Sequence, residues 1–270
     1  MKGKVNGKVN GKVNGKVNGK VNGNVKSDRA LILVDLQNDF VPGGALPVPQ
    51  GDAVVPVANR VQRAFDLIVA TQDWHPRDHG SFAPNHRGKT PGEVVNLNGL
   101  RQVLWPVHCV QDTRGADFLP GLDMSRVKKI IRKGTDPWID SYSGFFDNGH
   151  RKATGLERYL KSHGVREVYI LGLATDYCVK FTAMDALRLG FTVHLIQDGC
   201  RGVDLRHGDV DAAIDQMRAA GVDITTSSRV LAAARATGIK SRVTRAKRKV
   251  LINPRSDHPS RRRRAVGKTA

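Results

Sequence analysis

Cys178 occupies the position at which this sequence is best suited to hold a nucleophile. It ends the segment LGLATDYC (residues 171–178), which passes from an apolar run through a glycine and a Thr-Asp pair. This pattern is typical of a strand that turns into a helix, and the free amides and dipole at a helix start favour negative charge. A thiol in the first turn is therefore expected to have a lowered pKa and to act as a nucleophile, with the amides available to an oxyanion. The alternative is that Cys178 is a small buried apolar residue.

A carboxylate and three imidazoles offer the ligands that a metal ion needs. Asp73 and His75 lie at the end of an apolar run, and alternate residues of an extended chain share a face. His108, from a later Trp-Pro-Val-His segment, completes a set of oxygen and nitrogen donors that suits Zn²⁺, Fe²⁺ or Mn²⁺ and leaves coordination sites open. His79 is a further candidate ligand or a neighbour of the set. The alternative for each imidazole is a solvated loop histidine.

Two further charged residues lie next to apolar segments. Asp35 follows the run Ala30–Val34, where a carboxylate is either a general base or a turn residue. Lys133 lies between an apolar segment and Gly134, where it is either a functional cation or an ordinary surface lysine. The residues alone leave both alternatives open.

The elements that would bring these residues together alternate between strand and helix. The predicted strands are Ala30–Val34, Leu67–Thr71, Glu167–Leu171, Thr192–Ile196 and Val222–Thr225. The predicted helices are Ala53–Ala64, Leu156–His163, Asp176–Leu189 and Asp209–Ala220. Apolar strands separated by helices indicate an α/β fold, with three layers (α/β/α) around a central, mostly parallel sheet. The carboxyl ends of the strands then meet at one edge, where ligands bind in such folds.

Positive charge is concentrated at the two ends of the chain. Of the formal net charge of +19 in 270 residues, residues 1–26 carry +7 and residues 236–270 carry +11, which leaves +1 for residues 27–235. Residues 3–22 are five copies of Gly-Lys-Val-Asn, a period too short for an apolar face or a solenoid unit. The sequence therefore predicts a single domain at 27–235 between two disordered basic tails. Nucleic acid or another anionic surface is excluded as a partner of the domain and stays a candidate partner of the tails.

The cysteine content and the hydropathy of the chain bear on its compartment. Three cysteines are too few for a disulfide framework and favour a reducing environment. No apolar run is long enough to span a bilayer, and the N-terminal lysines lack the apolar segment of a secretory signal. We therefore expect a cytoplasmic protein without a membrane partner. The sequence does not indicate the oligomeric state, so a homo-oligomer stays open.

Seven motifs occur together in a fixed order. They are VDLQNDF (34–40), TQDWHP (71–76), WPVHCV (105–110), RKG (132–134), DSYSGF (140–145), LATDYCV (173–179) and DGCRGV (198–203). Their combination resembles the nicotinamidase/pyrazinamidase group of the isochorismatase-like cysteine hydrolases, from about Arg29 to Leu231. Seven motifs in order are far more specific than any one of them.

The resemblance implies a role for the nucleophile and its neighbours. It implies a catalytic triad of Asp35, Lys133 and Cys178. It also implies an oxyanion hole at the amides of Ala174 and Cys178, after a cis peptide bond between Leu173 and Ala174.

The resemblance also implies a metal ion and a ring pocket. One divalent ion, which can be zinc, iron or manganese, would be held by Asp73, His75 and His108, with His79 as a further candidate. The walls of the ring pocket would be Phe40, Trp105 and Tyr142.

The activity implied by the resemblance is hydrolysis of nicotinamide to nicotinate and ammonia through a cysteine thioester. The metal would anchor the pyridine ring, pyrazinamide would be a second substrate, and the reaction would serve NAD salvage. Cys178 disfavours the vinyl-ether chemistry of isochorismatases, and the metal ligands favour a pyridine carboxamide over ureido or carbamoyl substrates. The alternatives are an amidase for another small amide, or a hydrolase core that carries polyanion-binding tails.

Overall fold

The part of the chain that the structure describes forms one six-stranded sheet and one small hairpin. A computed structural model describes residues 28–236, so almost all of both predicted tails lies outside the described residues. The strands of the described part are β1 (Arg29–Val34), β2 (Leu67–Asp73), β3 (Val94–Leu97), β4 (Leu100–Val103), β5 (Lys129–Lys133), β6 (Glu167–Leu173), β7 (Thr192–Arg201) and β8 (Asp223–Thr225). The sheet has the order β5-β2-β1-β6-β7-β8 with all neighbours parallel, whereas β3 and β4 pair antiparallel.

The central strands are apolar on both faces. Every residue of β1 after Arg29 is buried, and β6 is buried from Val168 to its end. Strands covered on both sides have this continuous apolar pattern, whereas strands with one wet face alternate. The core therefore runs along β1 and β6, with Ile32 and Ile170 paired at its centre and fully buried.

Within residues 28–236, five α-helices cover the sheet. They are α1 (Val54–Val61), α2 (Leu156–Ser162), α3 (Lys180–Arg188), α4 (Asp209–Ala220) and α5 (Ser227–Ala236). Helix α1 connects β1 to β2, and α3 connects β6 to β7, which lies in the opposite direction along the sheet. Because both crossovers are right-handed, α1 and α3 lie on opposite faces of the sheet. In agreement, α1 packs with α5 and α3 packs with α4. The predicted three-layer α/β/α fold is confirmed, and no helix within 28–236 is long and apolar enough to cross a membrane.

Four neighbouring strands bring the candidate residues to one edge of the sheet. Strand β5 ends with Lys133, β2 ends with Asp73, β1 is followed by Asp35, and β6 leads into the turn that holds Cys178. The chain first builds the sheet from β1 toward β5 and then returns to β6 on the other side of β1, so its direction reverses between β1 and β6. Parallel sheets bind ligands at the carboxyl ends beside such a reversal.

The structure also contains elements that the sequence pattern did not predict. These are the edge strand β5, the hairpin β3–β4 and the helix α5. The sequence pattern does not predict β5 (KIIRK) because this strand exposes Ile130 and buries Lys133, whereas strands ordinarily bury apolar side chains and expose charged ones. The helix predicted at Asp176–Leu189 instead opens with a π-helical turn, Thr175–Val179, which continues into α3.

The close approach of β1 and β6 depends on a glycine. Gly172 has a φ of +135°, and a Cβ at this position would lie 2.1 Å from the carbonyl oxygen of Val34. We expect Gly172→Ala to push the central strands apart and to lower the free energy of unfolding by about 3 kcal/mol. Gly164→Ala is the matched control, because Gly164 has a φ of +75° but open space around it, and it should cost only about 1 kcal/mol. Denaturant unfolding followed by circular dichroism measures both, and equal losses would contradict the close contact.

Candidate active site

A buried ammonium group lies at the centre of the site. The Nζ atom of Lys133 is 2.9 Å from Oδ2 of Asp35, 2.6 Å from Oδ1 of Asp73 and 3.3 Å from Sγ of Cys178. It also donates a hydrogen bond of 2.9 Å to the carbonyl oxygen of Ser141. The structure therefore brings the three residues of the expected triad together. Lys133 is buried, so the surface-lysine alternative is excluded.

The charge of Lys133 persists despite its burial. Burial alone would lower the pKa of the ammonium group, but the negative charges of Asp35 and Asp73 and the nearby sulfur of Cys178 raise it well above its ordinary value. The group is thus a permanent cation surrounded by two carboxylates and a thiol. A lysine in this position lowers the energy of any negative charge that forms on the sulfur.

Asp35 is held in a strained backbone conformation directly after β1. Its φ is +49°, in the left-handed region that few residues other than glycine adopt. The hydroxyl of Thr71 accepts from the Asp35 amide at 3.2 Å and donates to the Asp35 carboxylate at 2.6 Å, which fixes both groups. Burial raises the pKa of the Asp35 carboxyl above its ordinary value even though Lys133 opposes the shift. A carboxylate of raised basicity next to a thiol is a candidate general base.

The expectation of a lowered thiol pKa at Cys178 is wrong. Cys178 lies in the π-helical turn and is buried, and this burial raises its pKa well above the ordinary value; Lys133 opposes the shift, while Asp35 adds to it. The helix-start argument considers only the field of the free amides. It omits the cost of removing a thiolate from water, which here is the largest effect. The resting thiol is therefore protonated and needs a base.

Three further residues present metal-ligand atoms to one another. Oδ2 of Asp73 is 3.6 Å from Nε2 of His75 and 4.0 Å from Nε2 of His108. The Nδ1 atoms of the two histidines lie 2.9 Å and 2.8 Å from the carbonyl oxygens of Gly134 and Pro106. A carbonyl can only accept, so each Nδ1 carries a hydrogen, and in the neutral imidazole the lone pair is then on Nε2. This second hydrogen bond is the usual support of a metal-binding histidine.

The charge state of these residues also fits a divalent cation. Asp73 gives Oδ1 to Lys133 and leaves Oδ2 for a metal. Burial by itself would raise the pKa of Asp73, but Lys133, His75 and His108 together lower it well below the ordinary value, so it is a carboxylate. Burial and the charge on His75 lower the pKa of His108 to about 4, which leaves its imidazole neutral at pH 7. Burial alone would also lower the pKa of His75, but Asp73 raises it above the ordinary value, so a cation bound at Nε2 of His75 would displace a proton. The three residues form a group of buried ligand atoms within 4.8 Å of one another.

His79 lies beside this set without belonging to it. Its ring packs on His75 with centroids 4.3 Å apart, and its Nδ1 accepts from the Ser81 amide at 3.2 Å. Its buried Nε2 has no hydrogen-bond partner within the described part of the chain, and burial lowers its pKa to about 4. His79 groups with His75 and Asp140 rather than with Asp73 and His108. Its role as a ligand stays a prediction.

Gln37 supports the site and was not singled out from the sequence. Its Oε1 accepts from the amide of Asp73 at 2.8 Å, and its Nε2 donates to the carbonyl oxygen of Asp73 at 2.8 Å. These two hydrogen bonds take the place of a neighbouring strand beside Asp73 and fix the backbone of this candidate metal ligand. Its position in the VDLQNDF motif was the available signal, but a contact across 36 positions of sequence cannot be read from one motif.

A cavity of about 390 Å³ connects these groups. The expected wall residues all line it, namely Phe40, Trp105 and Tyr142, and so do both residues of the expected oxyanion hole, Ala174 and Cys178. The Leu173–Ala174 peptide is cis, as the resemblance implies. This space is partly open to solvent, and the metal-ligand atoms, the thiol and the aromatic rings all face it.

Comparison with known proteins assigns the family. Residues 29–229 match the Isochorismatase domain family, and the chain belongs to it. The chain is 50% identical over 202 residues to the nicotinamidase of Escherichia coli (strain K12), across 73% of this chain and 94% of that protein.

Two solved structures are similar in fold. One is the nicotinamidase/pyrazinamidase of Acinetobacter baumanii, with a TM-score of 0.73, 45% identity and coverage of 75% of this chain and 98% of that chain. The other is the pyrazinamidase of Pyrococcus horikoshii in complex with zinc, with a TM-score of 0.61, 42% identity and coverage of 74% and 99%. The family predicted from the seven motifs is therefore confirmed.

The geometry of the ligand set predicts the effect of removing one imidazole. We expect His108→Ala to weaken binding of a divalent metal by at least about tenfold, because the set loses one of its two nitrogen donors. His163→Ala is the control, since His163 lies at the end of α2 and contacts Tyr159 rather than the cavity. Metal content after gel filtration and calorimetric titration with Zn²⁺ measure the difference. Metal retention equal to that of the control would contradict the assignment.

Proposed function

We propose that this protein hydrolyses nicotinamide to nicotinate and ammonia, and that it acts on pyrazinamide as well. The observation that carries the proposal is a lysine-bonded thiol, Cys178, in the wall of the cavity that Asp73, His75 and His108 also line. The relatives named above are nicotinamidases and pyrazinamidases, and they confirm the amidohydrolase predicted from the sequence. The product nicotinate would enter pyridine nucleotide synthesis.

The cavity would hold the flat ring of the substrate against its aromatic wall. Phe40, Trp105 and Tyr142 provide this wall, and aromatic rings stabilise one another in offset and edge-on arrangements. A divalent ion at the set defined above would anchor the ring nitrogen and so fix the carboxamide relative to the sulfur. We propose zinc, because two imidazoles and a carboxylate suit it and the Pyrococcus relative was solved with zinc.

Asp35 would act first as the general base. It takes the proton of the Cys178 thiol, whose raised pKa keeps it protonated at rest. The sulfur attacks the carboxamide carbon, an S–C bond forms, and the electron pair of the carbonyl moves to its oxygen. The amides of Ala174 and Cys178 would stabilise this oxyanion, while Lys133 offsets the negative charge on the sulfur before the bond forms.

Asp35 would then act as a general acid. It returns the proton to the amide nitrogen, the C–N bond breaks, and ammonia leaves a thioester on Cys178. A water molecule gives a proton to Asp35 and its oxygen attacks the thioester carbon. The C–S bond breaks, the sulfur recovers the proton from Asp35, and nicotinate is released. One carboxylate thus serves both halves of the reaction.

The nucleophile provides the first test. We expect Cys178→Ala to lower kcat/KM for nicotinamide by about 10⁴-fold, because no other group can form the thioester. Binding of nicotinamide, measured by calorimetry, should survive, since the ring wall and the metal ligands are unchanged. Release of ammonia and nicotinate measures turnover.

Cys200→Ala is the matched control for this experiment. Cys200 is also a buried thiol near the same edge of the sheet, but its Sγ bonds to the carbonyl oxygen of Ile196 at 3.4 Å and does not line the cavity. This variant should turn over nicotinamide like the unaltered protein. Full activity of Cys178→Ala would refute the proposed nucleophile.

The two basic ends lie outside the proposed catalytic domain. Every candidate site residue falls within 28–236, and the ends at 1–26 and 236–270 carry nearly all of the net charge. We infer that the domain is 27–235 and that its ends are a separate, polyanion-binding part. Deletion of residues 1–26 and 241–270 should leave nicotinamide turnover unchanged and abolish any salt-dependent binding to DNA. Loss of turnover would make the ends part of the enzyme.

A further inference from the structure

Gln102, in β4 of the hairpin, is a buried polar residue to which the mechanism above gives no role. Its side chain is 2% exposed. Its Nε2 lies 2.8 Å from the carbonyl oxygen of Val103, 2.9 Å from Oδ2 of Asp140 and 3.0 Å from Oη of Tyr142. Its Oε1 faces Nδ2 of Asn148 at 3.4 Å. The hairpin therefore places an amide directly behind the aromatic wall of the cavity.

The neighbours of Gln102 decide which way its amide faces. The carbonyl of Val103 and the carboxylate of Asp140 can only accept hydrogen bonds, so the NH₂ end must face them. If the amide were reversed, its oxygen would face the Asp140 carboxylate and the Val103 carbonyl, and no hydrogen bond could form between these acceptors. The NH₂ end therefore also faces Tyr142, and an amide nitrogen cannot accept the hydrogen of a phenol.

The second polar neighbour of the Tyr142 oxygen is also a donor. Nε1 of Trp105 donates to Oη at 3.1 Å, and an indole nitrogen never accepts. The hydroxyl hydrogen of Tyr142 has no acceptor among residues 28–236. Burial raises the pKa of Tyr142 well above its ordinary value, so the hydrogen stays on the oxygen. Tyr142 lines the cavity together with Cys178, so the occupant of the cavity is the remaining candidate acceptor.

We propose that Gln102 is a positioning residue that makes the Tyr142 hydroxyl a hydrogen-bond donor to the substrate. Asp140 fixes the amide of Gln102, whose two NH₂ hydrogens are shared among Val103, Asp140 and Tyr142, so both Gln102 and Trp105 present donors to the phenol oxygen. The inference rests on the proposed function, because the acceptor is the carboxamide oxygen of a pyridine carboxamide whose ring nitrogen the metal would hold. Tyr142 is then more than an apolar wall.

A double-mutant cycle tests this chain of contacts. Tyr142→Phe should raise KM for nicotinamide about fivefold to tenfold, with a smaller change in kcat, because it removes one hydrogen bond to bound substrate. Gln102→Met should raise KM in the same direction. The double variant should be no worse than Tyr142→Phe alone, since Gln102 acts through Tyr142. An unchanged KM for Gln102→Met, or an equal effect in both backgrounds, would overturn the proposal.

Gln62→Met is the control for loss of a buried glutamine. Gln62 is fully buried, its Nε2 bonds to Oδ1 of Asn59 at 3.4 Å, and it does not line the cavity. Its KM should equal that of the unaltered protein, and thermal unfolding of both variants measures the purely structural effect. A rise in KM as large as that of Gln102→Met would reduce the role of Gln102 to stability.

Binding measurements separate this proposal from the proposed function. In the Cys178→Ala background, calorimetry with nicotinamide should show weaker binding for Gln102→Met and Tyr142→Phe. Absent turnover by the unaltered protein would refute the proposed function, whereas unchanged binding in these variants would refute the positioning role. Benzamide, which lacks the ring nitrogen, identifies the acceptor. A Tyr142→Phe effect that persists on benzamide assigns the carboxamide oxygen, and one that disappears would overturn that assignment.

Discussion

The ammonium group of Lys133 is buried away from water, and the site is built around it. Removing such a charge from water costs several kcal/mol, which only close opposite charges can offset. Here Asp35, Asp73 and the sulfur of Cys178 lie 2.6–3.3 Å from Nζ. They come from β1, β2 and the turn after β6, while the lysine ends β5. The parallel register is therefore constrained, because a one-residue slip would turn each of these side chains to the other face.

Asp73 links the nucleophile to the metal ligands. One of its oxygens pairs with Lys133, and the other faces Nε2 of His75 and of His108. A single carboxylate thus belongs to the charge cluster under the thiol and to the set that would hold the ring. In the proposed reaction, this sharing would fix the distance between the anchored end of a substrate and its reacting end. Gln37 holds the backbone of the same residue through two hydrogen bonds.

Residues at the ends of strongly apolar strands were the easiest to predict. Asp35 follows such a strand and Asp73 ends one, so the topology alone places them at one edge of the sheet. Lys133 and Gln102 are buried polar residues in the short strands β5 and β4, where several apolar side chains are exposed or only partly buried, so periodicity gave no signal for their placement. The thiol pKa was predicted with the wrong sign because burial depends on packing that only the folded chain defines. Local chemistry identified the groups, whereas their electrostatics required the structure.

In the proposed reaction, this charge cluster drives an acyl transfer through a covalent enzyme intermediate. Partitioning between water and hydroxylamine reveals such an intermediate, because a thioester reacts with either nucleophile after ammonia has left. Added hydroxylamine should divert product from nicotinate to the hydroxamate while ammonia release continues. Production of nicotinate alone, at an unchanged rate and at high hydroxylamine concentration, would exclude the thioester.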